Sequence, residues 1–156
     1  MSLSPELVER VKVLWERYPE KKAALLPALH LIQKEREGWL SDETIAETAA
    51  LFGVPDMHVK GIVGFYDMFH AEPVGRHVVR LCKTLSCKLR GADELRDHIC
   101  AKYDVKSGGT TSDGRFTFRL FECLGHCSTA PMMLLDAEKY ENLTPERVER
   151  VLDELS

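Results

Sequence analysis

The sequence predicts an α/β chain in which a helical N-terminal region precedes a small α/β domain, and three observations carry that expectation. Apolar residues recur at helical spacing through roughly the first seventy positions, and beyond a turn-rich stretch, His70-Ala-Glu-Pro-Val-Gly75, the period shifts toward two. The cysteines outside Cys100 form two close pairs, Cys82-Lys-Thr-Leu-Ser-Cys87 and Cys123-Leu-Gly-His-Cys127, both in the second half. The boundary falls at the change of period, giving expected domains 1–72 and 73–156.

Helices account for the first of these. Ser4-Pro5-Glu6 reads as an N-cap followed by proline at the first helical position, and Leu7, Val11 and Leu14 continue the stripe up to Tyr18-Pro19. From about Lys21 to Glu37, Leu25, Leu29 and Ile32 share a face, with Pro27 either in the opening turns or at a kink. Ser41-Asp42-Glu43 opens a third helix with Ile45, Ala49 and Phe52 aligned, stopped by Gly53 and Pro55. A fourth runs from about Asp56 to Gly64.

The second half reads as strand, helix, strand, strand, helix. Val78 to Leu81 is a short strand ending at Cys82, and Ala92 to Tyr103 is a helix with Leu95, Ile99 and Tyr103 on one side. Phe116, Phe118 and Leu120 alternate with Thr117 and Arg119 as a half-buried strand should, and Met132 to Leu135 forms another after Pro131. Thr144-Pro145-Glu146 repeats the cap-plus-proline start before Val148, Val151, Leu152 and Leu155. A unit this small buries a modest core, so a bound inorganic centre would act as its staple.

Composition excludes several classes. With 44% hydrophobic and 29% charged residues and a net charge of -4, the chain reads as globular, with no basic field to recruit nucleic acid or an anionic membrane. No apolar run is long enough to span a membrane, so no direct membrane insertion is expected. The segment Met1-Ser-Leu-Ser-Pro-Glu6 has neither a secretory nor a transit-peptide layout, so a reducing cytoplasm is the expected compartment. There, five cysteines favour metal or redox chemistry over disulfides.

The paired thiols admit three readings. Disulfides are disfavoured by the compartment. Structural zinc uses the same four thiolates but usually shorter C-x₂-C knuckles than the four- and three-residue spans here. A [2Fe–2S] cluster takes four cysteines, two per iron, and tolerates longer loops around its larger core, so Cys82, Cys87, Cys123 and Cys127 are the expected iron ligands. Gly125 lets the second loop turn, Thr84 and Ser86 offer donors to sulfur, and Lys83, Lys88, Arg90 and His126 would balance the cluster's negative charge. Cys100, alone near a helix end, reads as a buried apolar side chain. His126 suggests a Rieske centre, but four cysteines are present and no second suitably placed histidine accompanies it.

Cys82-x₄-Cys87, Glu122-Cys-Leu-Gly-x-Cys127-x-x-Ala-Pro131-Met, Val63-Gly-Phe-Tyr-Asp-Met-Phe69 and Glu72-Pro-Val-Gly75 together resemble the thioredoxin-like [2Fe–2S] ferredoxin family. Within it, the chain most resembles the E-type members, the small iron–sulfur subunits of bacterial NADH–quinone oxidoreductase (complex I), and the likeness covers nearly the whole chain. The resemblance implies a thioredoxin-like domain whose four cysteines ligate one [2Fe–2S] cluster, Cys82 and Cys87 on one iron, Cys123 and Cys127 on the other. It implies an N-terminal helical domain docked on an F-type flavoprotein subunit that binds NADH and FMN, among other peripheral-arm subunits on the cytoplasmic side of the inner membrane. The chain itself has no glycine-rich nucleotide fingerprint and no expected catalytic residue, which agrees with what the resemblance implies, a non-autonomous part of an NADH dehydrogenase. Since NADH yields two electrons and one cluster carries one, a flavin must divide the pair. Equivalent subunits of NAD-linked hydrogenases or formate dehydrogenases share the pattern.

A rival of another class is a helix-turn-helix DNA-binding protein with structural zinc, read from Ile45 to Val63 with Gly53 in the turn. Its would-be recognition helix offers only Lys60 as a formal cation, balanced by Asp56. The aromatic stretch Phe65, Tyr66, Met68 and Phe69 reads as core or as a surface for a partner.

Overall fold

The structure is a computed structural model that describes residues 3–155, and the chain divides into two compact units, Met1–Pro73 and Val74–Ser156. In the first, helices α1 (Pro5–Trp15), α2 (Leu25–Glu35), α3 (Asp42–Phe52) and α4 (Asp56–Phe65) follow one another. Ser4 caps α1 by accepting the Leu7 N–H, and Ser41 caps α3 by accepting that of Thr44. Gly53 closes α3 at φ 68, a left-handed conformation that costs glycine no steric penalty. The expected second helix is split, with a 3₁₀ turn over Lys21–Ala24 leading into α2, so that Pro27 sits in the opening turn where its missing N–H is harmless. Val11, Leu25, Leu29, Ile32, Leu40, Ala49 and Val59 are sealed in the core of this unit.

The aromatic stretch splits between the two roles considered for it. Phe69 is buried, while Phe65, Tyr66 and Met68 are exposed. Lys60 of α4, the one cation a DNA reader would need, pairs with Asp42 at 2.8 Å.

The second unit holds a four-stranded sheet in the order β2-β1-β3-β4, formed by β1 (His77–Cys82), β2 (Phe116–Phe121), β3 (Met133–Leu135) and β4 (Glu138–Tyr140). β1 and β2 are parallel with Cys82 opposite Phe121, and the other two pairings are antiparallel. The parallel pair needs a crossover, and α5 (Leu85–Leu89) with α6 (Ala92–Tyr103) supplies it. α7 (Pro145–Asp153), capped by Thr144, packs against α6, where Lys102 and Tyr103 meet Asp153 at 2.8 and 2.7 Å. Val79, Leu81, Ile99, Phe116, Phe118, Met133, Val148 and Leu152 form this core.

Three details depart from the sequence reading. α5 encloses Cys87 in addition to the expected helix that follows it, and β4 is an extra edge strand. β2 does not alternate, since Phe116, Thr117 and Phe118 are all buried. Thr117 is covered because its hydroxyl accepts the Gly75 N–H at 2.7 Å and meets that of Thr110 at the same distance. No helix among the described residues is long and apolar enough to cross a membrane.

Candidate metal centre

Sheet register brings the cysteine loops together. Cys82 is the last residue of β1 and Cys123 lies just past β2, so the two parallel strands deliver both at one end of the sheet. β3 starts at that end, preceded by a cis Ala130-Pro131 bond, and the Met132 carbonyl accepts the Cys82 N–H at 3.2 Å. α5 carries Cys87, and a 3₁₀ turn over Cys127–Thr129 carries the last thiol. All five cysteines are free.

The first pair is enclosed and the second is not. Cys82 and Cys87 are each only 2% exposed and pack with Ala92, Ala130 and Met132, whereas Cys123 and Cys127 are exposed. Cys100 is partly buried against the sheet core, as an apolar filler would be, and burial raises its thiol.

Donors converge on the buried sulfurs. Thr84 Oγ1 lies 3.2 Å from Cys82 Sγ. Burial pushes the Cys82 thiol up, but the Thr84 hydroxyl and N–H, the Leu124 N–H and the Cys87 thiol outweigh it and hold Cys82 below its ordinary value. The Leu124 donor comes from the second loop, so the two loops are joined through a sulfur. Burial first, then the hydrogen bond to Cys82, pushes Cys87 up to about 11, with negative charge on Cys82 and Cys127 adding to the rise and the Met132 N–H opposing it. The two inner thiols are thus pushed in opposite directions, Cys82 down and Cys87 up.

Three of the four expected ligands therefore sense one another. Cys123 sits beside the Leu124 amide that reaches Cys82. The thiols do not close on one point, since no group of three or more His, Cys, Asp or Glu side chains among the described residues is gathered tightly enough for a single metal ion. A binuclear cluster takes its thiolates two per iron around a larger core and accepts N–H donors at its sulfurs, so this donor set fits it better than it fits zinc.

Gly125 stands at φ 82 with no atom within 4 Å of where a Cβ would lie, so the second loop needs glycine for its conformation and not for space. The cations expected to balance a cluster are partly drawn away: Lys83 meets Glu122 at 2.8 Å, Lys88 meets Asp93 at 3.5 Å, and His126 Nδ1 lies 2.8 Å from Glu141. Met132, Thr129 and Glu141 were not singled out from the sequence. Met132 follows the Ala-Pro dipeptide of the motif, the one signal that points to it, while Glu141 follows a strand too short to read.

Residues 11–156 match the model of the thioredoxin-like [2Fe–2S] ferredoxin family. The chain belongs to that family. This ferredoxin is 36% identical over 145 residues to the E subunit of NADH-quinone oxidoreductase from Escherichia coli (strain K12), covering 93% of this chain and 87% of that one. It is 37% identical to the E 2 subunit of the same kind of complex from Rhizobium meliloti (strain 1021), with 93% and 86% covered. Two solved structures, an NAD+-reducing [NiFe]-hydrogenase in H2-reduced and air-oxidised states, superpose with TM-scores of 0.70 and 0.72 at 22% and 23% identity. They cover 80% and 83% of the ferredoxin, which spans only about a fifth (21% and 22%) of those chains, and at that identity the likeness is one of fold. The chain is an α/β iron–sulfur protein of electron transfer with a thioredoxin-like fold, related to subunits of an oxidoreductase complex.

Proposed function

We propose that this ferredoxin is the electron-transfer subunit of the NADH-oxidising part of an NADH–quinone oxidoreductase, with Cys82, Cys87, Cys123 and Cys127 holding a [2Fe–2S] cluster, the first two on one iron and the last two on the other. The observation that carries the reading is the delivery of both cysteine loops to one end of a parallel strand pair, with N–H donors from Thr84, Leu124 and Met132 directed at the inner sulfurs. When bound, the cluster supplies a one-electron couple. The chain's residues hold it: Cys82 and Cys87 from inside the fold, Cys123 and Cys127 from the surface, and the donors favour negative charge on the buried sulfurs. Holding a cluster would require all four cysteines as thiolates, and burial makes Cys87 resist ionisation.

The electron is exchanged with FMN in an F-type flavoprotein subunit that also binds NADH, and residues 1–72 form the domain that docks on it, peripheral on the cytoplasmic side of the inner membrane. Exposed Phe65, Tyr66, Met68 and Met57 in that region give a partner apolar surface to cover. Service in an NAD-linked hydrogenase is the second reading, supported by the fold likeness; the higher identity to the quinone-linked subunits favours the first.

Iron and acid-labile sulfide analysis of the anaerobically purified chain, with electron paramagnetic resonance after dithionite reduction, tests the assignment. Two irons, two sulfides and a one-electron signal are expected. Zinc in the native chain overturns it.

A further inference from the structure

The loop that carries the second thiol pair is gripped from outside by one carboxylate. Glu141 follows β4 directly, and its Oε1 accepts the Thr129 hydroxyl at 2.6 Å while lying 2.8 Å from Nδ1 of His126. His126 immediately precedes Cys127 and Thr129 stands two residues beyond it, so one side chain holds both shoulders of that thiol. The backbone adds parallel ties. Asn142 N–H donates to the Thr129 carbonyl at 2.8 Å, Leu143 N–H to that of Pro131 at 3.0 Å, and Thr129 N–H to that of His126 at 3.2 Å. Asn142 adopts φ 48, a left-handed turn that asparagine tolerates better than most residues.

Such a clasp has a function because Cys127 lacks what fixes the first pair. Cys82 and Cys87 are set by burial, whereas Cys127 is exposed and rides on a single 3₁₀ turn. An exposed turn next to a glycine at φ 82 has many shapes, and a ligand must occupy one of them before the metal arrives if binding is to be tight. The Thr129 hydroxyl, and after it His126, hold the Glu141 carboxyl below its ordinary range.

We infer that Glu141 is a positioning residue for the cluster: by tying His126 and Thr129 to the segment after β4 it presets the Cys123–Cys127 loop for its share of the iron. The inference rests on the proposed role of Cys127 as a ligand.

The test uses the full chain loaded anaerobically with iron and sulfide, following the visible absorption after addition of EDTA and the electron paramagnetic resonance of the reduced form. Glu141→Ala is expected to lose the cluster roughly tenfold faster than wild type, with a changed line shape. Glu141→Gln, whose amide oxygen still accepts the Thr129 hydroxyl, falls between them. Asp136→Ala is the comparator. It removes the partners of His77 and the Val78 N–H at the other end of β3, and is expected to lower thermal stability without altering the rate of cluster loss. Loss from Glu141→Ala at the wild-type rate overturns the inference, as does equal acceleration by Asp136→Ala, which would reduce the clasp to general stability. If Glu141→Ala fails to fold, Thr129→Val removes one arm alone and decides the matter the same way. Failure of the underlying ligand reading shows separately, as a Cys127→Ser chain that keeps two irons and two sulfides.

Discussion

The two thiol pairs hold corresponding places in the two loops of one site yet are secured by opposite means. Cys82 and Cys87 are sealed among Met132, Ala130 and Ala92 and take hydrogen bonds from neighbouring amides, while Cys123 and Cys127 lie on the surface in a loop shaped by Gly125 and side-chain ties. Packing fixes a buried ligand whether or not metal is present; a surface ligand is fixed only by local bonds. The first pair should therefore behave as part of the core and the second as part of a loop.

The largest effects are expected at the four proposed ligands. Serine at any of the four positions is expected to abolish the visible spectrum and iron binding, which removes the similarity between the pairs and exposes their difference. In the cluster-free chain, Cys82→Ser and Cys87→Ser should cost about 1 kcal/mol or more in denaturant titration, because a buried hydroxyl replaces a thiol. Cys123→Ser and Cys127→Ser should stay within about 0.5 kcal/mol of wild type. Equal costs in both pairs break the contrast.

Met132→Ala comes next. The Met132 side chain is fully buried against both inner cysteines, so truncation should cost about 2–5 kcal/mol and disturb the first pair before the second, as alkylation rates of the individual cysteines would show, although the backbone bonds of Met132 remain. Gly125→Ala acts on the other side. A Cβ meets nothing there, so the cost is the left-handed backbone alone, about 1–2 kcal/mol, and loosening should be confined to the second loop.

The smallest effect is a pH dependence. Folded Cys87 keeps its proton up to about 11, against an ordinary value of 9.0. The stability it contributes is thus full below about 9 and lost as pH rises through 11. Cys82, held below its ordinary value, works in the opposite direction. Urea titrations of the cluster-free chain from about pH 8.5 to about 11.5 should show the decline, and Cys87→Ala should remove part of it; an unchanged slope in that variant contradicts the assignment.

Sequence periodicity carried the fold wherever apolar residues face a core. Ser4, Ser41 and Thr144 announced their helices because a side-chain oxygen at the N-cap satisfies an amide that has no other partner. α5 was invisible because Leu85 and Leu89 point to solvent and leave no stripe to read, and β4 because two of its three residues are charged and exposed. Burial of Thr117 escaped because it depends on Gly75 and Thr110, which are distant from β2 in pattern and close only in space. At the site, spacing named the four cysteines as candidate ligands. It could not say that one pair would be inside and the other outside, since that follows from where α5 and β3 pack.

Met132 offers its carbonyl to the amide of Cys82 and its own amide to the sulfur of Cys87. The spacing of the two inner thiols therefore depends on the Met132 backbone at the foot of β3 as well as on Thr84 of their own loop. A one-residue slip of β3 would turn its side chains over and withdraw both anchor points in a single step. Correct strand alignment and correctly spaced inner thiols are, in this chain, one requirement.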